Sequence, residues 1–208
     1  MCGECAKKVE YIAEPRCKKC GKPIRYEEEE YCYDCKKKEF HYEQGRNLWL
    51  HKYPVNQSIY QFKYYNRRVY GEFYAKELYR LYGHLMKEWN IDAIVPVPLH
   101  GKRKRRRGYN QAAVIAKHLG KLSGIFVDEN SVVRVKDTKP QKQFNDKQRR
   151  KNLKQAFRVS RRWKKWNVVL LVDDIYTTGS TIDAVAGVLK KAGTQKVFFF
   201  TISIGQGF

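Results

Sequence analysis

The sequence has no cysteine after Cys35, no apolar run long enough to cross a bilayer, and only 21 acidic residues against 43 Lys and Arg. All six cysteines fall in three Cys-x-x-Cys pairs near the start of the chain, which is typical of metal ligands rather than disulfides. The absence of a long apolar run predicts no membrane span. Because nothing near Met1 resembles a signal peptide, we expect a cytoplasmic protein.

The excess of basic residues gives a formal net charge of +22, and the chain also carries 15 Tyr, 10 Phe and 4 Trp. This charge favours a polyanionic partner. The densest block predicts a basic loop over Leu99–Arg107, although such a block is often only a solvated loop. A second block, Arg161–Trp166, alternates cations with two indoles, as single-strand binders do. The candidate DNA-binding residues of the first block are Lys102, Arg103, Lys104, Arg105, Arg106 and Arg107.

The chain divides into three segments of different composition. Residues 1–36 form a Cys-rich head, residues 37–90 are Tyr-rich and basic, and residues 91–208 alternate apolar and helical patterns. We expect at least one amphipathic helix within the middle segment, because its apolar residues repeat at helical spacing from Tyr70 onward. A length of 208 residues allows one full domain with a small accessory module.

The last segment predicts an α/β domain with a mainly parallel sheet flanked by helices, because short apolar runs alternate with helical patterns. A long polar stretch runs from Asp137 to Gln155. The predicted strands are Ile91–Pro98, Val132–Val135, Val168–Val172 and Val197–Ile204, and the predicted helices are Ala112–Leu122 and Thr181–Lys191.

The apolar run Val168–Val172 leads directly into two carboxylates, Asp173 and Asp174, and then into a short polar loop before a helix. A helix N-terminus that follows a strand offers unpaired N–H groups to an anion. Two carboxylates beside a phosphate site suit a sugar phosphate, whose hydroxyls donate hydrogen bonds and whose pyrophosphate brings Mg²⁺. A turn and a helix cap form the alternative interpretation. The loop residues are Thr177, Thr178, Gly179, Ser180 and Thr181.

The run Val168–Thr181 resembles the 5-phosphoribosyl-1-pyrophosphate (PRPP) motif of type I phosphoribosyltransferases. The resemblance implies a phosphoribosyltransferase-type sheet and a catalytic pair, Asp173 and Asp174, that holds the ribose hydroxyls. It also implies that Thr177–Thr181 hold the 5-phosphate. The pyrophosphate loop would then follow an earlier strand, at Val97, Pro98 and Leu99.

Further motifs resemble the ComF family of competence proteins. They are Asp92–Pro98, Arg107-Gly-Tyr-Asn-Gln, and Thr138-Lys-Pro-Gln-Lys with Arg149 and Asn152 downstream, behind a Cys-x-x-Cys head. The resemblance implies a role in DNA uptake during natural transformation, with single-stranded DNA and other competence proteins as partners. By the same resemblance, Thr138–Arg149 would form the loop that covers the bound pyrophosphate, and the alternative interpretation is a disordered basic linker of the same composition.

The cysteine pairs predict a structural zinc site in the head. Two pairs separated by eleven residues, with a glycine after the first, are typical of a zinc ribbon in which four thiolates fill every coordination position. The spacing also permits the first two pairs as ligands, but a pair at the terminus frays more easily. A redox role would require a βαβ context. The favoured ligands are Cys17, Cys20, Cys32 and Cys35, and the alternative set is Cys2, Cys5, Cys17 and Cys20.

These observations lead to three functional hypotheses. The first is a ComF-like protein that binds PRPP with Mg²⁺ and acts with single-stranded DNA. The second is a true phosphoribosyltransferase that transfers ribose 5-phosphate to a base or amine. In that reaction Mg²⁺ and the loop at Thr138–Arg149 would stabilise the departing pyrophosphate. The third is a binding module whose ribose-phosphate site regulates its affinity for nucleic acid. The sequence identifies no acceptor.

Overall fold

The computed structural model describes residues 3–137, 153 and 155–205, in which a five-stranded parallel sheet carries helices on both faces. Its order is β1-β7-β6-β2-β3, and β4 and β5 form a separate antiparallel pair. The predicted α/β fold with a parallel sheet is therefore confirmed. The strands are β1 (Gln44–Leu50), β2 (Ala93–Pro96), β3 (Phe126–Val127), β4 (Val132–Arg134), β5 (Phe157–Val159), β6 (Val168–Tyr176) and β7 (Lys196–Ile204). The helices are α1 (Gly3–Lys7), α2 (Tyr33–Lys37), α3 (Val55–Tyr64), α4 (Val69–Glu88), α5 (Gly101–Arg107), α6 (Gln111–Ser123) and α7 (Ser180–Lys191).

The central strand β6 is buried on both faces, because its apolar residues alternate between two cores. Leu170 and Val172 pack into a core with residues of α3, α4 and α6. Val169 and Leu171 point to the opposite core, which includes residues of α7 and of the cysteine head. Continuous apolar character, rather than alternation, is therefore what this strand requires.

Strand β1 was not predicted, because its sequence, Gln44-Gly-Arg-Asn-Leu-Trp-Leu, is half polar. It pairs in parallel with β7 at the edge of the sheet. Its buried Asn47 accepts a hydrogen bond from the Thr201 hydroxyl at 2.6 Å and donates one to the Cys20 carbonyl at 2.7 Å. The polar side chain thus joins the sheet to the cysteine head, and its hydrogen bonds offset its burial.

Two other predictions differ from the structure, whereas the expectation of at least one helix in the middle segment is met. The predicted basic loop after Leu99 contains helix α5, because Lys and Arg favour helices, the His100 ring accepts from the Lys102 N–H, and Gly108 ends the helix at φ 78°. The strand predicted at Val132–Val135 is β4, which pairs with β5 outside the parallel sheet. The middle segment holds two helices, α3 and α4. The loop expected at Thr138–Arg149 lies outside the described residues.

Within residues 3–137, 153 and 155–205, we find no helix that is both long enough and apolar enough to cross a membrane.

Candidate functional site at the carboxyl edge of the sheet

The two aspartates lie on β6, which continues beyond the predicted strand as far as Tyr176. The neighbouring strand β2 ends beside them, since the Val97 N–H donates to the Val172 carbonyl at 2.9 Å. Carboxyl ends of parallel strands form the usual ligand-binding edge of an open α/β sheet. The structure therefore brings Asp173 and Asp174 together with the loop that begins at Val97.

The connection from β6 to α7 has the backbone geometry of an anion site. Gly179 has a left-handed φ of 74° and precedes the first residue of α7, whose first N–H groups have no partner within the helix. A Cβ atom at Gly179 would lie 2.4 Å from the Tyr176 hydroxyl oxygen, so glycine is required there. The Thr178 and Ser180 hydroxyls share a hydrogen bond at 2.8 Å. Backbone and hydroxyl donors thus meet at one helix N-terminus, as phosphate binding needs.

The two carboxylates have different environments. Burial raises the pKa of Asp173 to about 7, and the adjacent charge of Asp174 adds to the shift. The Asp174 N–H donates to Asp173 Oδ1 at 2.8 Å, and this hydrogen bond partly offsets the rise in the pKa of Asp173. Near neutral pH, Asp173 is therefore divided between acid and carboxylate, and a bound cation or hydroxyl group would favour the carboxylate.

Asp174 is paired with a lysine that the sequence did not single out. Lys63 Nζ, from the last turn of α3, lies 2.9 Å from Asp174 Oδ1, and the two side chains are only 16% and 13% exposed. Lys63 was missed because it lies among many exposed cations in the Tyr-rich segment. The pair fixes the end of α3 to the carboxyl edge of the sheet.

A histidine lies on the same side of the site. His51 follows β1, and its Nδ1 is 2.9 Å from the Ser203 hydroxyl oxygen on β7. Burial lowers the pKa of His51, and the positive charge of Lys63 lowers it further. His51 is therefore a neutral imidazole at pH 7.

A further cation near Asp173 comes from β4. Arg103 Nε on α5 is 3.2 Å from Asp137 Oδ1. Burial lowers the pKa of Arg134 on β4, the nearby charge of Arg103 lowers it further, and the carboxylate of Asp173 acts in the opposite sense. The guanidinium group of Arg134 stays charged at neutral pH. Arg134, which was not predicted, is therefore a cation near Asp173, and Arg103 lies near Arg134 and is paired with Asp137.

Helix α5 leaves four of its six cations open to solvent, at Lys102, Lys104, Arg105 and Arg106. Arg107 instead donates to Gln111 Oε1 at 3.0 Å and to the Tyr64 hydroxyl at 3.2 Å. The predicted basic patch is thus real as a surface, but two of its members serve other contacts.

The indole rings of the second basic block are partly buried. Trp163 Nε1 donates to the Ala192 carbonyl at 3.2 Å, and Trp166 Nε1 donates to Asp128 Oδ2 at 2.9 Å. Both side chains pack against a core. These contacts hold the two rings in place, and a stacking role for them stays a prediction.

The four favoured cysteines meet in the head, with all their Sγ atoms within 4.8 Å of one another. The Sγ atoms of Cys20 and Cys32 are 3.6 Å apart, whereas sulfurs at about 2.3 Å from a tetrahedral zinc ion are about 3.8 Å apart. The residues present thus fit zinc. Of the two ligand sets that the spacing permits, the structure groups Cys17, Cys20, Cys32 and Cys35, while Cys2 lies outside the described residues.

The thiol chemistry of the cluster also favours a cation. A hydrogen bond with Cys20 lowers the pKa of Cys17, and the same contact raises the pKa of Cys20. One thiolate is therefore stabilised by its neighbours, while further deprotonation is opposed unless positive charge is supplied. Structural zinc meets this need and joins the two knuckles of a segment too small to fold on its own core.

Comparison with known proteins gives one match for the cysteine head and another for most of the chain. Residues 1–36 match the model of the double zinc ribbon domain. The chain is 36% identical over 149 residues to Competence protein F of Haemophilus influenzae, covering 69% of this chain and 65% of that protein. The chain belongs to the ComF family.

Two further relatives of this ComF-family chain are more distant. It is 31% identical over 147 residues to DNA utilization protein YhgH of Escherichia coli, covering 69% of this chain and 64% of the relative. It is 26% identical over 136 residues to Competence protein ComFC of Streptococcus pneumoniae, covering 65% and 55%. The chain thus spans no more than 65% of the length of these relatives.

Proposed function

We propose that this ComF-family protein binds PRPP at the carboxyl edge of its sheet and acts with single-stranded DNA in the cytoplasm during natural transformation. One observation supports PRPP as the ligand. The aspartate pair, the loop at Gly179 and the loop that begins at Val97 share one edge of the sheet. The DNA role is supported by the names of the relatives, which refer to competence and DNA utilization, and by the exposed cations of α5.

In the proposed complex, Asp173 and Asp174 accept hydrogen bonds from the ribose hydroxyls, and Thr177–Thr181 bind the 5-phosphate. Val97–Leu99 hold the pyrophosphate, which carries Mg²⁺. Arg103 and Arg134 neutralise negative charge at that end. We also propose that residues 1–36 form a zinc-binding head, residues 37–90 a hood over the site, and residues 91–208 the ligand-binding domain.

The ligand site is tested by comparing two substitutions at opposite ends of β6. We expect Asp173→Asn to abolish the rise in melting temperature that PRPP and Mg²⁺ produce, because the ribose hydroxyls lose the carboxylate that accepts their hydrogen bonds. Asp92, whose Oδ2 accepts from the Val168 N–H at the other end of the strand, provides the control. Asp92→Asn should keep the rise. An Asp173→Asn variant that still binds PRPP like the wild type would contradict the assignment.

The DNA-binding role of α5 is tested through salt dependence. Replacing Lys102, Lys104, Arg105 and Arg106 by Ala should weaken binding of a single-stranded oligonucleotide and reduce the slope of log K against log salt by about 0.7 for each lost phosphate contact. Alanine at the exposed Lys36 and Lys37 of α2 should leave the slope unchanged. An unchanged slope in the α5 variant would show that this helix does not bind DNA.

A second candidate function is phosphoribosyl transfer to a base or amine. It is favoured by the neutral imidazole of His51, which is suited to accept a proton from a nitrogen acceptor beside the hood. The assay is release of pyrophosphate from PRPP in the presence of single-stranded DNA, free bases and amines. Binding of PRPP without acceptor-dependent release would leave the regulatory binding role as the function.

A further inference from the structure

A group of three exposed tyrosines lies at the end of α3. Tyr60, Tyr64 and Tyr65 are 52%, 48% and 57% exposed. The ring centroid of Tyr60 lies 4.9 Å from that of Tyr64 and 5.9 Å from that of Tyr65. The rings therefore form one continuous aromatic patch rather than three separate residues.

This aromatic patch lies within a strongly basic surface. Arg107 of α5 lies 5.0 Å from the Tyr64 ring centroid and donates to its hydroxyl, which joins the patch to α5. Arg67 and Arg68 follow Tyr65 after one intervening residue, Asn66, and are exposed. The sequence has no Asp or Glu at positions 44–71 or 93–127, so these elements contribute cations and no carboxylates.

From this arrangement we infer that the end of α3 and helix α5 form a single surface for single-stranded nucleic acid, on which Tyr60, Tyr64 and Tyr65 stack with bases. The inference rests on the DNA-binding part of the proposed function and identifies the residues that contact the bases. Exposed rings favour unpaired bases, since a duplex keeps its base faces stacked on one another. The α5 cations contact phosphates and add no preference for base type.

The surface also lies beside the ribose-phosphate site. Lys63, which pairs with Asp174, is the residue before Tyr64 on the last turn of α3. A strand bound on the tyrosines therefore passes within a few residues of the edge of the sheet where PRPP is proposed to bind. Binding of the two ligands is then coupled through α3.

The experiment measures fluorescence anisotropy of a labelled oligothymidine with the full-length, zinc-loaded protein. The variant Tyr60→Ala with Tyr65→Ala removes two rings and leaves the Arg107 contact with Tyr64 in place. The matched control is Tyr26→Ala with Tyr33→Ala, because these tyrosines are 63% and 70% exposed on the zinc-binding head. A third variant, Tyr60→Phe with Tyr65→Phe, keeps the rings without their hydroxyls. Melting curves of all variants verify folding.

We expect the alanine pair on α3 to raise the Kd for the oligonucleotide about tenfold or more with an unchanged salt slope, since stacking releases no counterions. The phenylalanine pair and the head control should bind as the wild type does, and a blunt duplex should bind the wild type and the alanine pair equally. Equal Kd values for the oligonucleotide in the alanine pair and the wild type would overturn the inference. So would a preference for anionic vesicles over the oligonucleotide.

The outcomes separate this inference from the proposed function. If the wild-type protein does not bind the oligonucleotide at all, the DNA-binding role fails together with the surface. If the wild type binds and the α5 substitutions reduce the salt slope but the tyrosine substitutions have no effect, the DNA-binding role stands and only the stacking surface fails.

Discussion

Replacing Asp173 by Asn should stabilise the protein, and the gain should grow as the pH rises. The pKa of Asp173 is about 7 in the folded protein, against about 3.9 in an unfolded chain. Between these values the folded state binds more protons than the unfolded state, so the free energy of unfolding falls as pH rises. One pKa unit corresponds to about 1.4 kcal/mol, which predicts a loss of about 1–2 kcal/mol from pH 5.5 to pH 7 after allowing for partial solvent access.

Asparagine at position 173 has no charge to bury, and its side-chain oxygen can still accept from the Asp174 N–H. The stability of the variant relative to the wild type should therefore increase by about 1–2 kcal/mol between pH 5.5 and pH 7, and then level off above pH 7. The assay is urea denaturation of both proteins, with zinc bound and without PRPP, across pH 5.5–8. A difference that does not change with pH, or a destabilised variant, would refute the reasoning about this carboxylate.

Three further predictions concern other parts of the structure. Asp174→Asn should lower the free energy of unfolding by about 1–3 kcal/mol in urea denaturation, because Lys63 loses its partner. Adding Lys63→Met should restore most of this loss. If the double variant shows no recovery, this account of the pair is contradicted. Gly179→Ala should destabilise more than Gly124→Ala in thermal melts, because both have φ 74° but only Gly179 faces a 2.4 Å clash; equal losses would exclude the clash. Cys32→Ser should lower the zinc content from about one ion per chain and reduce the melting temperature, and unchanged zinc by elemental analysis would show another ligand set.

The parallel sheet could be predicted because its central strands are continuous apolar runs, such as Val168–Val172, followed by loop residues of distinctive chemistry. The same reasoning missed β1, whose buried Asn47 is compatible with a strand only because Thr201 and the Cys20 carbonyl are present as partners. Such partners lie far away in the sequence, so a local pattern cannot reveal them. Tertiary hydrogen bonding decided this strand.

The candidate site could be predicted only in part for the same reason. Asp173, Asp174 and the loop to Thr181 are contiguous, and their order alone indicates a ligand. Lys63 and Arg134 come from other segments and join the aspartates only through the fold.

The aromatic residues show that the sequence does not reveal which rings are exposed. The interleaved tryptophans of Arg161–Trp166 suggested stacking, but both indole N–H groups bond internally. The tyrosines at the end of α3 were not singled out from the sequence, yet they are about half exposed and lie next to one another. Composition indicates that rings and cations occur together, whereas the direction of each ring depends on packing.

The most direct test of the central claim is calorimetric titration of the zinc-loaded protein with PRPP, with and without Mg²⁺, and in the presence and absence of a single-stranded oligonucleotide. We predict saturable binding of about one PRPP per chain, and this binding should require Mg²⁺. The affinity for PRPP should change when the oligonucleotide is bound. Absence of PRPP binding by a correctly folded protein would contradict the ribose-phosphate site at Asp173 and Asp174, and would leave a nucleic-acid-binding protein without that ligand.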